Sequence, residues 1–340
     1  MDINDLKNIV KKFIDVRILI IGDLRLDTFI RGDITRISDE APVPVLDFNS
    51  EIVRPGGAGN AISNIRALGG TVIAFGVIGN DPEGNCLKTL LSDTGVDANG
   101  ILICDSRRTT KKTRIIAQKF QQHILRIDKN NSVDIDARSS GILLKSIKNV
   151  LDSVDAILIS DDDDGVITTE LLEELIPLAK TKGKTIVIDS KAEHFLDYRD
   201  VDIVKVSQQV ASDITGIGKI NETSVRNIGQ WMLTQLGSNY VLITQGKDGM
   251  TLFGKRGEVF HIPSIAKELK EVTGVADTVA AVLALSLGVD RNKMTEAAVL
   301  ANTTAGIKVG KLGTATVSSD ELICELDRLV SSSVIQEIPN

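Results

Sequence analysis

The sequence predicts an open α/β fold: a mostly parallel sheet covered by helices, with a small second β layer as a lid. Three observations carry that expectation. First, short aliphatic and β-branched runs recur without alternation: RILIIG (17–22), TVIAFGVIG (71–79), DAILIS (155–160), TIVIDS (185–190), DIVKV (202–206) and YVLIT (240–244). Continuous apolar runs of this length suit strands buried on both faces, as in a parallel sheet. Second, helix-like stretches lie between and after them, at 57–68, 138–152, 168–182, 221–237 and 276–287. Strand–helix alternation over most of a chain gives a sheet wrapped by helices, with ligands bound outside the carboxyl ends of the strands. Third, two segments break the rhythm. Residues 24–53 hold TFIRGDITRIS and then APVPVLDF, and residues 100–128 alternate and end in HILRID. Both read as antiparallel strands outside the main sheet, and Pro42 and Pro44 fit an edge strand.

Composition narrows the function classes. The 340 residues are 42% hydrophobic and 25% charged, enough to bury a full core. A net charge of -7 argues against a nucleic-acid surface while leaving room for a local basic phosphate pocket. Aromatics at 3% leave few side chains to stack on bases. Cys86, Cys104 and Cys324 are odd in number and widely spaced, so neither a disulfide framework nor a zinc site is expected. Ile3, Leu6, Ile9, Val10, Phe13 and Ile14 recur at helical spacing between charges, which reads as a surface helix rather than a signal peptide. No apolar stretch approaches the ~18 residues of a membrane span, and the expected location is the cytoplasm. Residues 1–330 read as one unit, with lid segments at about 24–53 and 100–128, and residues 331–340 as a tail.

Four motifs can carry chemistry, and each has a bland alternative. Arg54-Pro-Gly-Gly-Ala-Gly-Asn60 brings backbone close to a ligand at a helix start, or is a tight turn capped by Asn60. Gly22-Asp23-Leu24-Arg25-Leu26-Asp27 follows a strand; its two carboxylates suit sugar hydroxyls, or Asp23 caps a solvated turn. Thr244-Gln245-Gly246-Lys247-Asp248-Gly249 either shapes a nucleotide phosphate site or joins two strands. Glu271-Val272-Thr273-Gly274-Val275-Ala276-Asp277-Thr278 opens an Ala-rich helix whose first amides favour anions; Asp277 either takes a proton from a hydroxyl or complements the helix dipole. No G-x-x-x-x-G-K-[ST] loop and no G-x-G-x-x-G after the first strand occurs. His123, His194 and His261 are isolated and read as surface or hydrogen-bonded histidines.

The order of these motifs resembles the PfkB/ribokinase carbohydrate kinases over residues 17–322. GDLRLDTFIRGDITRISDEAPVPVLDF, RPGGAGNAISNIRALGG and ANTTAGIKVGKLGTATVSSDEL are similar to the heptose 7-phosphate kinase branch. The resemblance implies a ribokinase-like three-layer sandwich whose β lid makes a homodimer contact. It implies transfer of the ATP γ-phosphoryl group to a sugar or sugar phosphate hydroxyl with Mg²⁺, O1 of heptose 7-phosphate being the acceptor of that branch. By position, Asp27, Gly57 and Asn60 would hold the sugar and Asp277 would be the general base. The amides of Gly274, Val275 and Ala276 would form the anion hole. Thr244, Gly246 and Gly249 would line the nucleotide phosphates, with Asn302 near the adenine. The metal ligands are not assigned.

Departures from the family pattern are local. The usual G-A-G-D reads Gly274-Val275-Ala276-Asp277, which fits only if Ala276 has negative φ. Glu271 stands where Asp usually opens that motif. The branch's D-Y-x-K-G reads Asp161-Asp162-Asp163-Asp164-Gly165, so Asp164 replaces a lysine. The N-x-x-E motif reads Ser207-Gln208-Gln209-Val210, and valine cannot serve a metal network. The Asp162–Asp164 run reads either as substitute metal ligands or, preferred, as a solvated acidic loop. These changes keep open an alternative in which the chain binds sugar or nucleotide without turnover, as a sensor or assembly partner.

Overall fold

The computed structural model describes residues 2–130, 133–218, 222–266, 272–311, 313–329 and 336–337. The chain opens with α1 (Ile3–Lys11), β1 (Arg17–Gly22), β2 (Leu24–Ile37), β3 (Pro44–Gly57), α2 (Ala58–Ala67), β4 (Thr71–Gly79), α3 (Pro82–Ser92) and β5 (Asp97–Cys104). It continues with β6 (Thr110–Ala117), β7 (Gln122–Lys129), α4 (Ala137–Val150), β8 (Ala156–Ser160), α5 (Thr169–Thr181), β9 (Thr185–Asp189), β10 (Ile203–Ser207) and α6 (Gln208–Thr215). The last third holds α7 (Glu222–Leu236), β11 (Tyr240–Thr244), β12 (Met250–Gly254), β13 (Val259–Ile262), α8 (Val275–Val289), α9 (Met294–Lys308), α10 (Ser319–Arg328) and β14 (Gln336–Glu337).

The large sheet has the order β14-β13-β12-β11-β10-β9-β8-β1-β4-β5. It is parallel from β5 to β11 and antiparallel from β11 to β14. Strand β1 shows why its run lacks alternation. Ile18 and Ile20 enter the core beneath α1, α2, α8 and α9, whereas Leu19 and Ile21 enter the opposite core beneath α4, α5 and α7. Each such side chain taken from water contributes roughly 1.5–3 kcal/mol, so a polar residue on either face is penalised.

The small sheet has the order β3-β2-β6-β7. Strand β2 pairs antiparallel with β3 and parallel with β6. As the prolines suggest, β3 is an edge strand, and Pro44 begins it. The second lid segment differs from expectation: residues up to Cys104 form β5 of the large sheet, and only Thr110–Lys129 supplies the lid. Helices α3, α6, α9 and α10 were not expected from periodicity. Their starts are nonetheless written locally: Asp81 caps α3 ahead of Pro82, Ser207 caps α6, and Ser318 with Glu321 forms a capping box on α10. Helix α9 is buried along much of its length, which erases an amphipathic stripe. Gln336 and Glu337, within the expected tail, add a short edge strand beside β13. Among the described residues no helix is long and apolar enough to cross a membrane.

Candidate functional site

Two helix starts meet at the carboxyl end of the large sheet. Gly57, at φ +58°, turns the chain from β3 into α2, and Gly274, at φ +78°, turns it into α8. Both conformations favour glycine. A Cβ at Gly274 would also lie 2.4 Å from Asn60 Nδ2, so the close approach itself excludes a side chain there. That approach lets Asn60 Nδ2 donate to Asp277 Oδ2 at 2.8 Å and to the Gly274 carbonyl at 3.1 Å. Asn64 Nδ2 donates to Asn60 Oδ1 at 3.2 Å, and Thr278 Oγ1 donates to Asn64 Oδ1 at 3.2 Å. Asn60 is therefore fixed from behind and presents its amide to Asp277.

Asp277 is 7% exposed in the first turn of α8. Burial and the neighbouring Asp162 and Asp189 carboxylates push its pKa up to about 6, against the opposing pull of Arg25 and the Asn60 amide. Val275 donates its N–H to Val272 O at 3.3 Å, so the start of α8 offers the following amides to an anion. Positive φ at non-glycine residues is confined, among the described residues, to Gln121, Asp163 and Asp200. Ala276 is thus accommodated without strain. Glu271 lies outside the described residues.

The acidic loop after β8 is not the solvated loop the sequence suggests. Asp161 and Asp164 are 3% and 6% exposed. The loop folds inward because Asp23 is its clamp. The Asp23 carboxylate accepts the amides of Asp162 at 2.8 Å, Asp164 at 3.2 Å and Val166 at 2.9 Å. Its backbone N–H donates to Ser160 O and its carbonyl accepts from Ala58 N. Asp23 is therefore a buried organiser, neither a sugar ligand nor the cap of a solvated turn. Asp161 accepts from His194 Nδ1 at 2.8 Å and from the Tyr198 hydroxyl. Asp162 forms ion pairs with Arg25 Nη1 at 2.6 Å and Lys191 Nζ at 3.3 Å. Asp164 has a buried Oδ2 without a hydrogen bond among the described residues, and the charges of Lys112, Arg25 and Arg107 act on it.

Asp161, Asp163 and His194 place ligand atoms within 4.8 Å of one another. The hydrogen bond to Asp161 pushes His194 up to about 9. Within the trio, Asp161 and His194 form an ion pair at 2.8 Å. His194 is thus a satisfied histidine, as expected, and His261 Nδ1 lies 3.1 Å from Thr251 Oγ1. Asp27 is buried and paired with Arg114 at 2.7 Å, the guanidinium resting 5.3 Å over the Phe29 ring.

Beside Asp277 opens a cavity of about 500 Å³. Thr244, Gly246, Gly249, Val275, Ala276 and Asn302 all line it. The Gly246–Asp248 turn joins antiparallel β11 and β12, so the strand–turn–strand reading and the cavity wall are one feature. Asn302 is buried, and its Nδ2 donates to Pro263 O at 2.9 Å. Ser207, Gln208 and Gln209 also face this cavity. Val210 packs on the core beneath α7, and its N–H donates to Ser207 Oγ. No carboxylate projects from that position. Sequence reasoning missed Arg25, Lys112, Lys191 and the buried Asp189–Lys205 pair, at 2.6 Å. The only signal was positional: Arg25 is two residues from Asp27 on one strand face.

Comparison with known proteins places the chain in a family. The chain is 37% identical over 317 residues to the bifunctional protein HldE of Desulfatibacillum aliphaticivorans, covering 93% of this chain and 64% of that protein. The HldE of Geobacter metallireducens is 39% identical over 309 residues, 91% of this chain and 62% of that protein. The chain thus spans less than two thirds of the length of these relatives. Its fold matches Escherichia coli phosphofructokinase-2 in complex with substrates and products, with a TM-score of 0.75 at 18% identity, covering 92% of this chain and 99% of that one. Arabidopsis thaliana ribokinase complexed with ribose and ATP matches with a TM-score of 0.70 at 17% identity, covering 92% and 98%. The model of the pfkB family carbohydrate kinases matches residues 28–321. The chain belongs to the pfkB family of carbohydrate kinases.

Proposed function

We propose that the protein transfers the γ-phosphoryl group of ATP to a hydroxyl of a sugar or sugar phosphate, with Asp277 as general base. The observation that carries this reading is the buried Asp277–Asn60 contact, at 2.8 Å, set at a helix start beside the 500 Å³ cavity. Heptose 7-phosphate is the foremost acceptor. Its support is the similarity of residues 22–48 and 54–70 to the heptose kinase branch and the identity with the HldE proteins.

The chemistry follows from the residues. The acceptor hydroxyl gives its proton to Asp277 Oδ as its oxygen forms a bond to the γ-phosphorus. The bond from that phosphorus to the bridging oxygen breaks, and ADP leaves. Asn60 holds Asp277 in one rotamer, and a carboxylate poised near pH 6 is basic enough to accept the proton yet ionised at neutral pH. The amides at the start of α8 face the charge that builds on the phosphoryl oxygens, which is where fixed dipoles do most. Gly57 and Asn60, with Asp27 behind them, hold the acceptor; Thr244, Gly246 and Gly249 take the nucleotide phosphates, with Asn302 at the base end.

A magnesium ion bound with the nucleotide would offset charge on its phosphate oxygens. Asp162 and Asp189 act on Asp277 through their charge, but Arg25, Lys191 and Lys205 already pair with them, so the metal ligands stay unassigned. Val210 removes the family's usual carboxylate, yet Asp277, Asn60 and the helix start remain assembled, so no observation favours the non-catalytic alternative. Phe48, Leu125 and Ile127 of the lid strands are exposed, Phe48 by 64%, which supports a second copy of the chain as the lid's partner. The reading is tested by measuring ADP release from Mg·ATP across a panel of sugars and sugar phosphates. Acceptor-dependent release supports it and names the acceptor class; release unchanged by every acceptor would remove it.

A further inference from the structure

The Asp162–Arg25 pair is placed where a pair serving only stability would be poorly used. Arg25 is the second residue of the lid strand β2, its side chain 12% exposed. Its Nη1 lies 2.6 Å from Asp162 Oδ2, while its buried Nε has no hydrogen-bond partner among the described residues. A buried donor without an acceptor is costly, so the free Nε is expected where a ligand supplies one.

The surroundings point the same way. A Cβ on Gly57 would lie 2.8 Å from Asp162 Oδ2 and 3.6 Å from Arg25 Cγ, so the pair lies directly against the Gly56–Gly57 turn. Three residues on, Asn60 touches Asp277. One turn thus separates the guanidinium from the reacting hydroxyl's partner, and the charge of Arg25 is felt at Asp277. Lys191 pairs with the other Asp162 oxygen, at 3.3 Å, so that carboxylate is shared between two cations. Arg107, by contrast, spends its donors on the Val133 and Asp164 carbonyls. Asp164 occupies the position where the resembling branch has lysine. A cation is therefore lost from that loop, and Arg25 stands across from it on β2.

We propose that Arg25 is the anion-binding residue of this site, contacting phosphoryl oxygens of the bound reactants and taking over from the loop the positive charge that Asp164 removes. The proposal rests on the kinase reading above. Two reactants carry phosphoryl oxygens: the acceptor, if it is a sugar phosphate, and the group in transfer. Arginine suits either, because its planar fork can bond two oxygens at once.

The test compares wild type, Arg25→Met and Arg25→Lys in steady-state kinetics with Mg·ATP, using sugar phosphates and their unphosphorylated counterparts. A KM raised tenfold or more in Arg25→Met for phosphorylated acceptors alone, with kcat kept, assigns Arg25 to the acceptor's phosphate. A kcat lowered tenfold or more for every acceptor assigns it to the group in transfer. Partial recovery in Arg25→Lys accompanies either. A kcat/KM within threefold of wild type for all acceptors overturns the proposal. If wild type turns over nothing, the kinase reading fails by itself, and calorimetric titration with sugar phosphate and inorganic phosphate still decides. Binding at least tenfold weaker in Arg25→Met supports the anion site, and equal binding or no binding by wild type overturns it. Should Arg25→Met not fold, Arg25→Gln is read by the same criteria.

Discussion

At the scale of single residues, the behaviour of Asp277 is set by what surrounds it. Burial and two nearby carboxylates raise its pKa to about 6, while Arg25 and Asn60 hold that rise in check. A protonated Asp277 cannot accept the acceptor's proton. We therefore expect kcat/KM for the acceptor to climb with pH through about 6 and level off above it. Asn60→Ala removes a donor that favours the carboxylate, and its pH–rate profile should be displaced upward relative to wild type. An unchanged inflection in that variant would detach Asn60 from the base. Asp277, Asn60, Gly57 and Gly274 were all legible in the sequence, because helix-start glycines and a first-turn acid leave a local pattern. Arg25 was not legible, since nothing in its neighbours announces that Asp162, 137 residues later, will fold against it.

At the scale of elements, the acidic loop shows how a polar segment becomes interior structure. Four consecutive aspartates read as a solvated turn, yet Asp23 gathers three of the loop's amides and draws it under the site. Asp23→Ala would leave these amides without an acceptor. At about 1–3 kcal/mol for each unsatisfied buried group, we expect a loss of at least ~3 kcal/mol in urea unfolding, with Asp23→Asn losing less. Wild-type stability in Asp23→Ala would mean that the loop is held by other contacts. Strands β1, β4 and β11 were legible to the residue because burial on both faces demands unbroken apolar runs. Helix α9 was not, because a helix buried on most sides has no polar face to mark its period. The end of the lid segment at β5 was missed for a related reason: alternating residues suit any half-covered strand, whichever sheet receives it.

At the scale of the whole molecule, the fold brings the two helix starts and the cavity together, and β2 of the small sheet pairs with Gly56 and Gly57 at that place. Strand β2 carries Asp27 and Arg25 directly from β1, so movement of the lid would be felt at both. The outward apolar residues of the lid predict association. We expect light scattering to report a dimer, and Phe48→Glu with Leu125→Glu to shift it to monomer and weaken acceptor binding. A wild-type monomer at micromolar concentration would show that these side chains serve another purpose. The family was readable because the order of its motifs along the chain carries the resemblance. The site's charge balance was not, because it is set by contacts between β2, the loop after β8 and Lys191, which only the fold brings together.

The central claim is that Asp277 acts as the proton acceptor in acceptor-dependent phosphoryl transfer. The most direct measurement is single-turnover transfer from Mg·ATP to the preferred sugar or sugar phosphate, in wild type and in Asp277→Asn, with acceptor binding measured on the same preparations. The account predicts a fall of roughly 10²–10⁴-fold in the transfer rate, with acceptor affinity changed by no more than a few-fold. Transfer at the wild-type rate in Asp277→Asn would contradict it.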